Sequence, residues 1–169
     1  MVTKNKSWLL IGLIGLIAIV SISLVLRFSN EKRHIQKQLR RLSDAVSFAS
    51  GEGLIAHGLK SKRTGELFAE ETTLSIPVYG LTGRYSRTEI VQNALGAKNT
   101  CTRLSLDFYD LTIDIPEPSR ARVNTTARLK GQTISGESFN EVRELYCDFN
   151  KINGHWLFTA CTVDSIITR

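Results

Sequence analysis

Three periods of apolar residues follow one another along this chain. In the first, Ser7 to Leu26 (SWLLIGLIGLIAIVSISLVL) runs twenty residues without a charge, which as a helix matches the hydrocarbon thickness of a bilayer. The second begins at Asn30-Glu31, where Ile35, Leu39, Leu42, Val46 and Ala49 recur at steps of three and four. That spacing predicts an amphipathic helix whose first turns are exposed stalk and whose later turns pack. Gly51 and Gly53 interrupt it. A further apolar patch, Leu54, Ile55 and Leu59, leads to the basic linker Lys60-Ser61-Lys62-Arg63, and Thr64 reads as the cap of a short helix carrying Leu67 and Phe68 on its inner face.

The third period is two. A strand is expected from Thr72 to about Gly80 and a shorter one around Gly83 to Tyr85. Ser86, with Glu89 at the capping-box position, predicts a helix ended by Gly96. Beyond it lie long strands: Thr100 to Ile115; Arg120 to Lys130, with Ala121, Val123, Thr125, Ala127 and Leu129 on one face; Phe139 to Ile152; and His155 to Ile167. Asn153-Gly154 is a two-residue hairpin signal that makes Phe149 and Phe158 neighbours and sets Trp156 near Lys151. Helices followed by long antiparallel strands define an α+β domain.

Charge changes the picture mainly at the N-terminus. The +6 net charge is concentrated in residues 1–41, which hold eight Lys or Arg against Glu31, whereas residues 42–169 hold fourteen against fifteen acids. A near-neutral domain offers no phosphate-tracking face, so no nucleic-acid partner is expected. The organisation is then a basic tail (1–6), a transmembrane helix (7–26), a basic helical stalk (27–41) and one soluble domain (42–169). A cleaved signal peptide is the rival, but the apolar run stays bulky through Leu24, Val25 and Leu26 with no small-residue cleavage site. Arg27, Lys32, Arg33, Lys37, Arg40 and Arg41 suit either anionic lipid headgroups, at about 1 kcal/mol each, or a plainly solvated helix face. The plan is that of a single-pass protein, expected in a bacterial inner membrane. Six cations after the helix against two before it favour a cytoplasmic domain, whereas the short basic tail suits an exported one, the side favoured here. Cys101, Cys147 and Cys161 are odd in number and show no C-x-x-C spacing. The turn-centred register sends Cys147 and Cys161 to opposite faces unless a bulge intervenes, and buried free thiols are expected.

One run carries a family resemblance. Glu66-Leu67-Phe68-Ala69-Glu70-Glu71, then a strand with Pro77, then Gly83 and a capped helix from Ser86 to Leu95, resembles the nuclear transport factor 2-like superfamily and its SnoaL-like members. The resemblance covers about residues 35–169. It implies a cone of about three helices on a curved antiparallel sheet with a pocket between them. It also implies a carboxylate base just before the strand proline in the steroid-isomerase branch. That position here is Ile76, which cannot move a proton, and residues 31–57 contain no tyrosine to serve an oxyanion hole.

No metal-ligand spacing, phosphate-cradling glycine loop or nucleophile elbow appears, so no metal or cofactor is expected. Candidate pocket residues are His57, an acid or base at neutral pH, and Tyr79, Tyr109 and Tyr146, whose hydroxyls suit a wet cavity. Asp110 and Asp114 read as outer-face or strand-end acids. These features point to a membrane-tethered, non-catalytic domain that binds a partner protein or a second copy through its sheet, or a small apolar ligand. The alternatives are a cyclase or hydratase using a strand acid or His57, and a scaffold component of an envelope assembly.

Overall fold

The computed structural model describes residues 29–164. The apolar segment Ser7 to Leu26, together with Arg27 and the end of the last expected strand, lies outside them; among the described residues no helix is long and apolar enough to cross a membrane. The chain divides into units 1–35 and 36–169, and the architecture below is that of the second. Its elements are residues 36–46 of helix α1, which is described over 29–46, then α2 (Leu54–Glu66), β1 (Phe68–Ile76), a 3-10 turn (Pro77–Tyr79), β2 (Leu81–Ser86), α3 (Arg87–Thr100), β3 (Cys101–Glu117), β4 (Arg120–Thr133), β5 (Ser138–Ile152) and β6 (His155–Val163).

The strands form one six-stranded sheet in the order β2-β1-β6-β5-β4-β3. It is mixed rather than antiparallel throughout, because β1 runs parallel to β6. The connection that such a parallel neighbour requires is long, since β2, α3, β3, β4 and β5 all lie between β1 and β6 along the chain. Alternation separates the two faces: Ala121, Val123 and Thr125 of β4 and Leu145, Cys147 and Phe149 of β5 are buried, while Arg122, Asn124, Tyr146 and Asp148 are exposed. The buried side, called inner here, carries the core. Phe149 lies 4.1 Å from Phe158, and Phe158 stacks 5.0 Å from Phe68. Leu39, Leu42 and Ala45 of α1, Leu67 and Ile90 belong to the same buried set. Gln38 ties α1 to the sheet by donating to the Trp156 carbonyl at 2.8 Å.

The hairpin is as the sequence predicts: Asn153 and Gly154 both take positive φ, as a type I′ turn demands, and Phe149 faces Phe158 while Lys151 faces Trp156. The Ser86–Glu89 capping box also forms.

Three expectations are corrected. Residues 54–66 make one helix, so Thr64 lies inside it and caps nothing. Leu67 is the residue that closes that helix, and Phe68 already belongs to β1. Sheet contacts override the helical look of Leu67–Glu71: the Leu67 carbonyl accepts from Phe158 N–H at 3.0 Å and Phe68 packs on the Phe158 ring. Gly96 does not end α3, whose last turn is held by Lys98 donating to the Ala45 carbonyl at 2.6 Å. The apolar patch of Leu54, Ile55 and Leu59 is exposed.

Candidate functional site

Two polar constellations interrupt this interior. The first lies at the start of β5. The last pair between β5 and β6 among the described residues is Leu145–Val163, and among those residues 138–143 of β5 are laddered on the β4 side only. Glu141 and Arg143 share the inner side with Leu145 because they lie four and two positions from it on one strand. Arg143 grips one oxygen of Glu141 with Nε at 3.0 Å and Nη2 at 2.9 Å. Tyr79 reaches the same oxygen, its hydroxyl donating to Glu141 Oε2 at 3.0 Å. Pro77 starts the turn that delivers Tyr79, and Gly80 ends it at φ 68°, a conformation that suits glycine. Burial of part of the ring, and then the hydrogen bond to Glu141, push the phenol up to about 12, so it stays a donor. Two polar atoms of this network have no partner among the described residues: Glu141 Oε1 and Arg143 Nη1. Half-buried Leu106, Phe108, Ala127 and Leu129 sit on the same side of the sheet, by register next to them.

The second constellation lies in the helical layer. Where α1 ends its carbonyls lose their helical partners, and two ammonium groups take them. Lys98 donates to Ala45 O, and Lys60 donates to Ser47 O at 2.8 Å while pairing with Glu52 at 2.7 Å. Lys98 is 2 % exposed. Its burial, and then the neighbouring Lys60 charge, push its amine down to about 8. His57 is buried 4.7 Å from the Phe48 ring, and among the described residues neither its ring nitrogens nor the buried Ser61 hydroxyl has a hydrogen-bond partner. Next to this layer a depression of about 740 Å³ is lined by Phe48, Arg103, Leu104, Gly131 and Phe139 among others.

The four sequence candidates therefore do not converge. Tyr79 joins the inner network and His57 sits in the helical layer. Tyr109 and Tyr146 project from the outer face, the first under the Arg128 guanidinium at 4.9 Å, the second donating to Glu144 at 2.6 Å. Asp110 and Asp114 are exposed, as expected of outer-face or strand-end acids. Ile76 is half-buried before Pro77. Among the described residues no group of three or more His, Cys, Asp or Glu could hold a metal. Glu141 and Arg143 were missed by sequence reasoning, although a signal existed: in Phe139-Asn-Glu141-Val-Arg143-Glu-Leu145-Tyr-Cys147-Asp-Phe149 they alone break an otherwise apolar alternate row.

No family model and no curated protein matches this chain. Solved structures do. A Novosphingobium aromaticivorans protein provisionally named scytalone dehydratase superposes with TM-score 0.69 at 16 % identity, covering 85 % of this chain and 89 % of that one. A type 2 hexachlorocyclohexane dehydrochlorinase gives 0.67 at 11 % identity, with 85 % and 89 % covered. A nuclear transport factor 2-like superfamily protein from Salmonella enterica gives 0.64 at 16 %, with 83 % and 94 % covered. The described domain thus has the nuclear transport factor 2-like α+β fold. At such identities the likeness is one of fold and carries no activity with it.

Proposed function

We propose that this protein is a membrane-tethered, non-catalytic domain that holds a small, mainly apolar, oxygen-bearing ligand on the inner face of its sheet. The tether rests on the uncharged run Ser7 to Leu26 and the cations that follow it. The observation that carries the binding reading is the Tyr79–Glu141–Arg143 network. It sets one donor, Arg143 Nη1, and one acceptor, Glu141 Oε1, that have no partner among the described residues, beside an apolar sheet surface. Few fixed polar groups against an apolar wall is the composition of a ligand site. A hydroxyl on an apolar body would meet both needs, donating to Glu141 Oε1 and accepting from Arg143 Nη1.

The test uses 2-naphthol, a fluorescent molecule of that kind, with the full chain in detergent. Saturable binding is expected, weakened at least tenfold in Arg143→Met. Unsaturable partitioning that is equal in both proteins would sink the reading. Glu141 Oε1 also motivates a second reading, a cyclase- or hydratase-type enzyme in which this oxygen takes the proton. Turnover of a small β-hydroxy ketone that is lost in Glu141→Gln, with binding retained, would favour it. A further use of the outer face, where Tyr109, Tyr146 and Arg128 present aromatic and charged surface, is contact with a second copy or a partner protein. Sedimentation of wild type against Tyr146→Glu tests the homodimer.

A further inference from the structure

Counting back from the Asn153-Gly154 turn, uninterrupted pairing would set Cys147 opposite Ala160 and leave Cys161 on the outer face. The ladder instead shifts by one residue. Phe149 faces Phe158, but Asp148 faces Ala160, so Thr159 is an extra residue on β6. Such a bulge turns every later side chain of its strand to the other face. Its consequence is that Cys161 points inward and stands directly opposite Cys147. The two sulfurs lie 2.8 Å apart, inside the contact distance of non-bonded sulfur atoms, and both residues are buried. Facing positions on neighbouring antiparallel strands fall within the Cα separations that a disulfide spans. The third cysteine, Cys101, is at the far edge of the sheet, on β3, and pairs with Thr133.

We propose that Cys147 and Cys161 form an intrachain disulfide that fastens β6 to β5 in the mature protein, leaving Cys101 as the free thiol. The oxidant belongs to the class of disulfide donors. One cysteine thiolate attacks the donor disulfide and releases one donor thiolate. The second then attacks the resulting mixed disulfide at the protein's own sulfur, forming the Cys147–Cys161 bond and releasing the second donor thiolate. Two electrons pass to the donor, and each cysteine gives up its proton. The exchange precedes closure of the sheet. Once folded, burial and the Cys161 sulfur raise the Cys147 thiol well above its ordinary value, and a thiol held protonated does not attack. A stable bond of this kind belongs to an oxidising compartment, so it assigns residues 36–169 to the outer side of the membrane. The bond and the ligand site share no residue, so either can fail without the other.

The test takes the full chain from the membranes of the cells that make it, acid-quenched at lysis so that no thiol exchanges afterwards. The protein is denatured without reductant and tagged with a mass-adding maleimide. One tag is expected, on Cys101, and three after reduction. In Cys101→Ser the expected change is from none to two, with the protein running as a monomer without reductant. Three tags before reduction, or a covalent dimer of the Cys101→Ser protein, would overturn the proposal.

Discussion

Along β5 the inner row reads Phe139, Glu141, Arg143 in its first half and Leu145, Cys147, Phe149 in its second. The alternation is the same, yet one half is charged and partly open while the other is among the most deeply buried parts of the domain. What differs is the neighbour. The second half lies between β4 and β6, whereas the first has β4 on one side and no described strand on the other. A charged side chain with apolar strands on both flanks finds no partner for its charge, whereas a hydroxyl such as that of Thr125 can still donate to a backbone carbonyl. A side chain at an unflanked end can be ionic, provided that a partner such as Arg143 or Tyr79 meets the charge. Fold strength and chemistry are thereby segregated within a single strand.

The contrast breaks most visibly in the closed half. Phe149→Ala removes a ring that is fully buried against Phe158 and is expected to cost about 3–5 kcal/mol, read as the shift in urea unfolding free energy. A loss below about 1 kcal/mol would mean that the two halves are packed alike. Reduction of the proposed Cys147–Cys161 bond, which bridges a sequence separation of 14, should lower stability by about 3 kcal/mol in the same assay. The Cys147→Ser/Cys161→Ser protein should be indifferent to reductant.

The helical layer and the open end also part company with pH. Lys98 has its folded value pushed down to about 8. Above that pH the folded protein releases the proton first, and the unfolded chain holds more. Stability should therefore rise between about pH 8 and about pH 10.4, by about 2 kcal/mol once solvent relaxation is allowed for. Lys98→Met should flatten this rise. Tyr79 has the opposite sign: its folded value is raised to about 12, so the unfolded chain ionises first. Its contribution is whole below about pH 10 and lost as pH climbs toward 12. Tyr79→Phe should abolish that fall while costing under about 1 kcal/mol at neutral pH, the smallest effect of the series. If its cost instead matched that of Phe149→Ala, the open end would be core and the segregation false.

Local signals in the sequence determine much of this domain. The Asn153-Gly154 turn, the Ser86–Glu89 box and the period-two rows of β4 and β5 all arise from interactions within a few residues, so they can be read directly. Tyr79 could be named as a candidate for the same reason, but its partners could not: Glu141 is 62 positions away in sequence. Only the tertiary structure turned Phe68–Glu71 from helix to strand, carried α3 past Gly96, and set β1 parallel to β6. It also rotated Cys161 onto Cys147 through one extra residue at Thr159. A bulge and a crossover are chosen by contacts between segments distant in sequence, whose energies outweigh local preferences of a few tenths of a kcal/mol per residue. Adjacent residues determined the elements of this chain; which element covers which decided where its charges could be buried.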